Sequence, residues 1–425
     1  MRVSGQRQLR IAIVAENASF RFGGEASLPL HYFSRLRKRG MEVWLIVHSR
    51  TRPELDSLFP NERDRILTIP DMRLHKLLWR LGKLLPRRLS EITFGTLIGL
   101  FNQYLQRKMV RALIREQGIQ LVHQPTPVSP KAPSFLSGFG IPVVIGPMNG
   151  GMQYPDAFRN SESGFTRVFV AGGRLAANLM NHVIPGKKQA RLLLVANQRT
   201  REALPSGVQG EVAIVPENGA DLNIWTPRLN FLTSSSEAEA RFLFIGRLVD
   251  WKRLDIALRA LAQLPGAKLE VIGDGPMRAE WSDLAGTLDL ADRVQFVGWL
   301  SQHESAQRLQ GATALLLPSI FECGGAVVLE AMAVGTPVIA TAWGGPADYL
   351  DQSCGILVDP ISEYGLVLGF AKAMQKLATD GSLGERLGRA GRIRVVEEYD
   401  WEKKIDRMVG IYRELVESDT AGIED

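Results

Sequence analysis

PSIFECGGAVVLEAMAVGTPVIATAWGG, running from Pro318 to Gly345, is the stretch that decides how this chain reads. Leu315, Leu316 and Leu317 just before it form a short apolar run, the pattern of a buried strand. Gly324 and Gly325 open a helical pattern over Ala326 to Val334, which Gly335 stops and Pro337 seals. Val338 to Ala340 predicts the next strand. The unit is therefore strand, acidic glycine loop, helix, strand. The first free N–H groups of that helix, from Ala326 on, adjoin a loop without Cβ bulk and suit a phosphate. Glu322 lies on the loop. Glu330 lies about two helical turns further on, at roughly 5.4 Å per turn, too far to share one proton with it. The two carboxylates read as fixed points on an elongated ligand.

At 425 residues the chain has room for two or three ordinary domains, each burying its own core. Its 45% hydrophobic and 23% charged residues are those of a soluble globular protein. A net charge of +6 is a mild bias, compatible with phosphorylated ligands or an anionic membrane face. No basic run interleaved with aromatics supports a nucleic-acid partner. The two cysteines, Cys323 and Cys354, form neither a disulfide framework nor a metal pattern, which points to a reducing cytosol. Arg2, Arg7 and Arg10 precede a short apolar run, Ile11 to Ala15, which reads as a first strand rather than a signal peptide. No uninterrupted apolar stretch reaches the length of about 18 residues expected of a spanning helix.

Leu9 to Ala15 predicts a buried strand, Glu25 to Arg39 a helix and Val43 to Val47 a second strand. Phe22-Gly23-Gly24 stands at the strand-to-helix turn, where a ligand could approach the backbone. The G-x-G-x-x-G spacing of a dinucleotide site is absent, and a tight turn alone accounts for the glycines equally well. Arg73 to Arg88 is unusual. Leu74, Leu77, Leu78, Leu81, Leu84 and Leu85 recur at helical spacing, and every charge, from Arg73 through Lys76, Arg80 and Lys83 to Arg87 and Arg88, is positive. Such a helix can lie on an anionic membrane surface; alternatively it packs on its own domain with a solvated basic face. Ile92 to Phe101 continues apolar.

Leu121 to His123 reads as a strand end followed by a proline-dense loop, so His123 is either a satisfied structural residue or a side chain aimed into a ligand crevice. Pro142 to Ile145 predicts a strand leading into a second flexible crevice loop, Gly146 to Gly151. Arg174 to Lys188 reads as helix, and Leu192 to Ala196 and Val212 to Val215 as strands. Thr226 to Ala240, with Ser234, Ser235 and Ser236, loses periodicity and is the linker candidate. A second alternating series follows, with strands at Phe242 to Ile245, Leu269 to Ile272 and Val294 to Val297 and a helix at Leu254 to Leu264. From Glu363 the chain is mainly helical to Glu417. Two α/β halves whose strand-end loops serve a shared cleft is the architecture this implies.

Arg247 and Lys252 follow a strand end five residues apart, so one turn can aim both at a single anion. Arginine offers a planar fork for phosphate oxygens and lysine a mobile point charge. With the N–H groups after Gly325 they make a clamp for a diphosphate. Glu322 can accept hydrogen bonds from sugar hydroxyls and Glu330 from a ribose diol. Fixed positive charge on a leaving diphosphate does the work a metal could do. The sequence has no D-x-D and no His/Asp cluster, so the chemistry reads as metal-independent, with no cofactor.

These residues resemble glycosyltransferase family 4 over nearly the whole chain. The resemblance rests on Glu322 and Glu330 as E-x7-E, Gly246-Arg247 with Lys252, and Gly335-Thr336-Pro337-Val338 followed by Gly344-Gly345. Gly23-Gly24 and Asn218-Gly219-Ala220-Asp221 are weaker matches. The resemblance implies the GT-B fold, two Rossmann-like domains facing a central cleft. Residues 1–225 would form the acceptor domain and 226–400 the nucleotide-sugar domain, with 401–425 crossing back to the first. It further implies that Arg247 and Lys252 hold the donor diphosphate, with Gly324, Gly325 and Ala326 beside it, while Glu322 contacts the donor hexose and Glu330 the ribose. Gly24 would let its loop approach the phosphates, His123 would lie beside the reacting sugar, and the base would rest near Gly273 and Leu300. Gly23, Gly150 and Gly151 would form acceptor-side loops.

The implied activity is retaining, metal-independent transfer of a hexose from a UDP- or GDP-linked sugar to a glycan or lipid-linked acceptor. Such a protein would work in cell-surface polysaccharide synthesis, in the cytoplasm or on the inner face of the membrane. Attack would come from the front face, with the leaving phosphate helping to take the acceptor proton. Two positions depart from the family: Glu322-Cys323-Gly324-Gly325 stands where E-G-F-G is common, and Asp348 where a Glu is common. The competing readings are a GT-B-fold phosphorylase, a sugar-nucleotide epimerase, and a silent partner in a glycan-assembly complex. A phosphorylase of the glycogen type needs a pyridoxal-phosphate lysine, for which no signal stands out, and a silent partner predicts loss of the clamp residues, all of which are present.

Overall fold

The computed structural model describes residues 8–84, 90–161, 179–227 and 239–421. They fall into two compact units, each built on a parallel sheet. In the first unit the strands are β1 (Arg10–Val14), β2 (Glu42–His48), β3 (Ile66–Ile69), β4 (Leu121–Gln124), β5 (Val143–Met148), β6 (Leu192–Val195) and β7 (Glu211–Ile214). Their order is β3-β2-β1-β4-β5-β6-β7. Ile11 to Val14 and Val43 to Val47 are almost wholly buried apart from a sliver of Trp44, as expected of strands covered on both faces. The order reverses between β1 and β4, where Ile13 pairs with His123. In open α/β sheets that reversal is where a crevice forms beyond the strand ends.

Two elements of this unit differ from the sequence reading. The basic helix ends at Gly82, which packs so closely on Ser90 that a Cβ would come within 2.6 Å of its Oγ; Leu85, Arg87 and Arg88 lie outside the described residues. Its leucines do not form an inward stripe. Leu74, Leu77, Trp79 and Leu81 are 40%, 53%, 58% and 40% exposed, while His75 and Gly82 face the protein. The apolar stretch at Ile92 is only the approach to a longer helix, Thr96–Gln117, ended by left-handed Gly118. Asn102, Gln103 and Gln106 obscured that helix in the sequence because they turn polar groups inward rather than to solvent.

The final helix, Trp401–Ala421, belongs to the first unit from Ile405 on. There Asp406 pairs with Arg39 at 2.7 Å, and the hydroxyl of buried Tyr412 lies 2.8 Å from His123 Nδ1.

The second unit contains β8 (Arg241–Ile245), β9 (Lys268–Ile272), β10 (Val294–Gly298), β11 (Ala314–Leu317), β12 (Val338–Thr341) and β13 (Ile356–Val358), in the order β10-β9-β8-β11-β12-β13. Side chains alternate cleanly. Phe242, Phe244, Leu316 and Ile339 enter one core layer; Leu243, Leu315, Leu317 and Ala340 enter the other. The Ala326–Val334 helix is apolar nearly all round and is buried accordingly. Asn218 to Trp225 belongs to this unit, tied by Ala220 N–H to Tyr399 O at 2.9 Å, as does a segment beginning at Met152. Ser234 to Ser236 lie outside the described residues. Among the described residues no helix is long and apolar enough to cross a membrane.

Candidate active site

The strand order of the second sheet reverses between β8 and β11, and the charged residues expected to act together sit on the loops that follow those two strands. After β8 comes Gly246, then Arg247, then the short turn Asp250–Lys252. Arg247 is exposed and makes no ion pair among the described residues. Lys252 Nζ bonds directly to Glu322 Oε2, with only 14% and 15% of the two side chains exposed. The residues expected to hold diphosphate and hexose separately are thus already in contact.

Gly325 adopts a left-handed conformation (φ 76°) as the N-cap of the Ala326–Val334 helix, and no side chain caps that end. Glu322 folds back over it, since a Cβ on Gly325 would fall 3.1 Å from Glu322 Cγ. One cation, one carboxylate and a bare helix N-terminus therefore meet, the last carrying partial positive charge. Glu330, on the same helix, makes no hydrogen bond or ion pair with a described residue. Burial pushes its carboxyl up to about 7.

Backbone contacts fix the loop. Gly345 N–H donates to Glu322 O at 2.7 Å. A Cβ on Gly345 would lie 2.0 Å from Gly324 O, and one on Gly344 2.3 Å from Glu322 O. Only glycine permits that approach. Gly273 meets Gly246 in the same way, 2.0 Å from its carbonyl oxygen, and donates its N–H to Gly298 O at 2.7 Å. Leu300 packs against the core, leaving Trp299 69% exposed. The sequence reading missed Met152 to Tyr154 here. Gln153 O accepts from Trp343 Nε1 at 2.8 Å, and Tyr154 stacks on Phe321 with ring centres 4.9 Å apart.

In the first unit His123 is fully buried. Its Nε2 lies 2.6 Å from Gly146 O and its Nδ1 2.8 Å from the Tyr412 hydroxyl, with Tyr32 edge-on at 4.6 Å. Both ring nitrogens are engaged, the arrangement of a histidine that holds structure. Gly23 and Gly24 are exposed with open space around them. Gly150 and Gly151 are not a loose loop. A Cβ on Gly150 would strike Pro130 at 2.6 Å, and one on Gly151 would strike Ala203 and Arg199 at 2.7 and 2.8 Å.

Two groupings had no signal in the sequence. A pocket of about 230 Å³ lies at the β1/β4 reversal, between the loops after those strands and the Thr96–Gln117 helix. The nearest clue was the run of amides Asn102, Gln103 and Gln106 within one helical turn. The expected lack of any His/Asp cluster is also corrected: Asp71 and His75 stand four positions apart and His48 well before them, and their ligand atoms lie within 4.8 Å of one another. Their hydrogen bonds argue against a metal. Nδ1 of His48 accepts from Arg50 N–H at 3.3 Å and Nδ1 of His75 from Met72 N–H at 2.9 Å. A ring whose Nδ1 accepts carries a proton on Nε2, the atom His48 turns to Asp71 at 3.5 Å, whereas a metal ligand needs that nitrogen bare.

Residues 230–394 match the family described as Glycosyl transferases group 1. The lipopolysaccharide core biosynthesis glycosyltransferase of Rhizobium meliloti is 34% identical over 163 residues, 38% of this chain and 46% of that protein. The chain spans about half the length of the curated relatives it matches. Sucrose-phosphate synthase of Thermosynechococcus elongatus aligns with a TM-score of 0.66 at 22% identity, covering 97% of this chain and 100% of that one. HepE of Anabaena, solved with UDP-glucose, aligns at 0.64 and 16% identity, covering 96% and 100%. The fold is GT-B, with two Rossmann-like domains on seven- and six-stranded parallel sheets.

Proposed function

We propose that this protein is a retaining, metal-independent glycosyltransferase that moves a hexose from a UDP- or GDP-linked sugar to a glycan or lipid-linked glycan. The observation that carries the reading is the meeting of Lys252, Glu322 and an uncapped helix N-terminus at the β8/β11 reversal, inside the region that matches the family. Arg247, exposed beside them, completes a positive site for two phosphates. Glu330, half-buried with no described partner, suits a ribose diol, whose two hydroxyls would satisfy it. As the glycosidic bond loosens, charge builds on the leaving diphosphate, and fixed cations and backbone N–H groups stabilise it without reorganising. Glu322 then exchanges its bond to Lys252 for the hexose hydroxyls. His123, enclosed as it is, acts by shaping the Gly146 turn.

The outward leucines and Trp79 of the Arg73–Gly82 helix, flanked only by positive charge, favour peripheral contact with an anionic membrane, the inner face of the cell membrane in this reading. That suits a lipid-linked acceptor and a role in cell-surface polysaccharide synthesis.

Calorimetric titration with UDP, GDP and ADP in EDTA tests the donor site. Micromolar binding of one nucleotide, unchanged by added magnesium, is the expected result. Failure of all three to bind, with or without magnesium, refutes the reading.

A further inference from the structure

The pocket at the β1/β4 reversal has a chemistry that names its ligand. Two carboxylates line it, Glu16 from the loop after β1 and Glu25 from the Gly24–Lys38 helix, together with the amides of Asn17, Asn102, Gln106 and Gln124. No lysine or arginine is among the lining residues. Most of these polar groups are held by a bond that leaves other positions open. Glu16 Oε1 accepts from Arg50 Nη2 at 2.6 Å and from Asn102 Nδ2 at 3.3 Å. Glu25 Oε1 accepts the Val128 N–H at 3.0 Å, Gln106 Nε2 donates to Ala15 O at 2.7 Å, and Gln124 Oε1 accepts from Ser134 Oγ at 2.6 Å. The side-chain oxygens of Asn17 and of Asn102, itself only 1% exposed, have no partner among the described residues. Orphaned polar groups of this kind cost free energy until a ligand or water reaches them.

A phosphate here would meet two carboxylates, of which only Glu16 is balanced, by Arg50. A sugar ring would instead offer hydroxyl donors to the carboxylates and the orphaned oxygens, and acceptors to the amide NH₂ groups. Phe22 and Pro127 supply apolar surface for the ring's C–H face. The volume, about 230 Å³, is below the ~300–1,000 Å³ of drug-sized ligand sites and suits one ring.

We infer that this pocket is a subsite for a single uncharged, hydroxyl-rich sugar ring, the acceptor end of a glycan, and that it turns away phosphorylated sugars. The inference rests on the transferase reading for the word acceptor, but not for the binding itself.

The test is saturation-transfer NMR on the full chain with methyl hexosides of the gluco, galacto and manno series and with the matching hexose 6-phosphates. At least one methyl hexoside is expected to bind tenfold or more tightly than its 6-phosphate. Glu25→Lys is expected to reverse the order, raising 6-phosphate affinity about tenfold, a gain that misfolding cannot mimic. UDP and GDP titrations on the same two proteins keep the two readings apart. Nucleotide binding with no methyl hexoside signal overturns the subsite and leaves the transferase. Hexoside binding with the expected reversal, but no nucleotide binding, upholds the subsite and removes the transferase. Equal or tighter binding of the 6-phosphate to the wild type overturns the subsite outright.

Discussion

Replacing Glu330 with Gln should make the protein more stable and a worse nucleotide binder at the same time. Burial lifts the carboxyl of Glu330 from its usual 4.5 to about 7. At roughly 1.36 kcal/mol per unit, that difference is worth about 3 kcal/mol. Because the folded state favours the protonated form, this stability is fully present below pH 4.5 and is lost as pH rises through 7. Glu330→Gln removes the dependence. Urea unfolding followed by tryptophan fluorescence suits the measurement, since six of the eight tryptophans belong to the second unit. The variant should match wild type at pH 4 and exceed it by up to about 3 kcal/mol at pH 8. A ribose diol would donate to the ionised carboxylate, so wild-type nucleotide affinity should climb about tenfold from pH 6 to its plateau above pH 8. The variant should bind weakly at every pH. If the two proteins show parallel stability from pH 5 to 8, or if carbon NMR finds Glu330 titrating near its usual value, the reasoning fails.

Three further outcomes are expected. Lys252→Ala leaves the Glu322 carboxylate half-buried without its cation; stability should fall by roughly 1–3 kcal/mol, and calorimetry should find UDP or GDP weakened at least tenfold while the free nucleoside is little changed. Gly345→Ala puts a Cβ 2.0 Å from Gly324 O, so the acidic loop must move; the melting temperature should drop by several degrees and nucleotide binding should be lost, whereas intact binding would mean the loop tolerates displacement. Trp79→Ala combined with Leu77→Gln should abolish co-sedimentation with phosphatidylglycerol vesicles, leaving nucleotide affinity unaltered, and wild type should ignore phosphatidylcholine vesicles.

The second unit was largely legible from its sequence because its signals are local. The helix expected over Ala326 to Val334 is the helix found, bounded by glycines at both ends. The leucine triplet before it is β11 but for one residue, Ala314. What was not legible depends on distance in the chain. Lys252 and Glu322 are seventy positions apart, and only the parallel pairing of β8 with β11 brings them together. His48, Asp71 and His75, and the amide-lined pocket, are assembled in the same way by tertiary packing. His123 illustrates a different gap. A strand-end histidine reads identically in sequence whether it is open to a ligand or enclosed, and Tyr412, 289 positions later, is one of the residues that decide it. The basic helix differs from its expectation in where it stops, at Gly82, and in its outward leucines, because periodicity identifies an apolar face but not the direction it points.

Gly345 lies against the carbonyl of Gly324, Gly273 against that of Gly246, and Gly388 against that of Gly335, each at 2.0 Å for a hypothetical Cβ. Glycine thus meets glycine three times around one sheet. Such pairs impose a rule on any redesign of donor preference. No exchange at the carbonyl partner can compensate for a side chain at Gly345, Gly273 or Gly388, because what that side chain would strike is main chain. Variation must enter through residues that hang from the framework without spacing it, such as Trp299, 69% exposed. A library confined to such positions would explore new sugars on an unmoved scaffold, and one that included Gly345 or Gly273 would mostly sample proteins that no longer assemble the site.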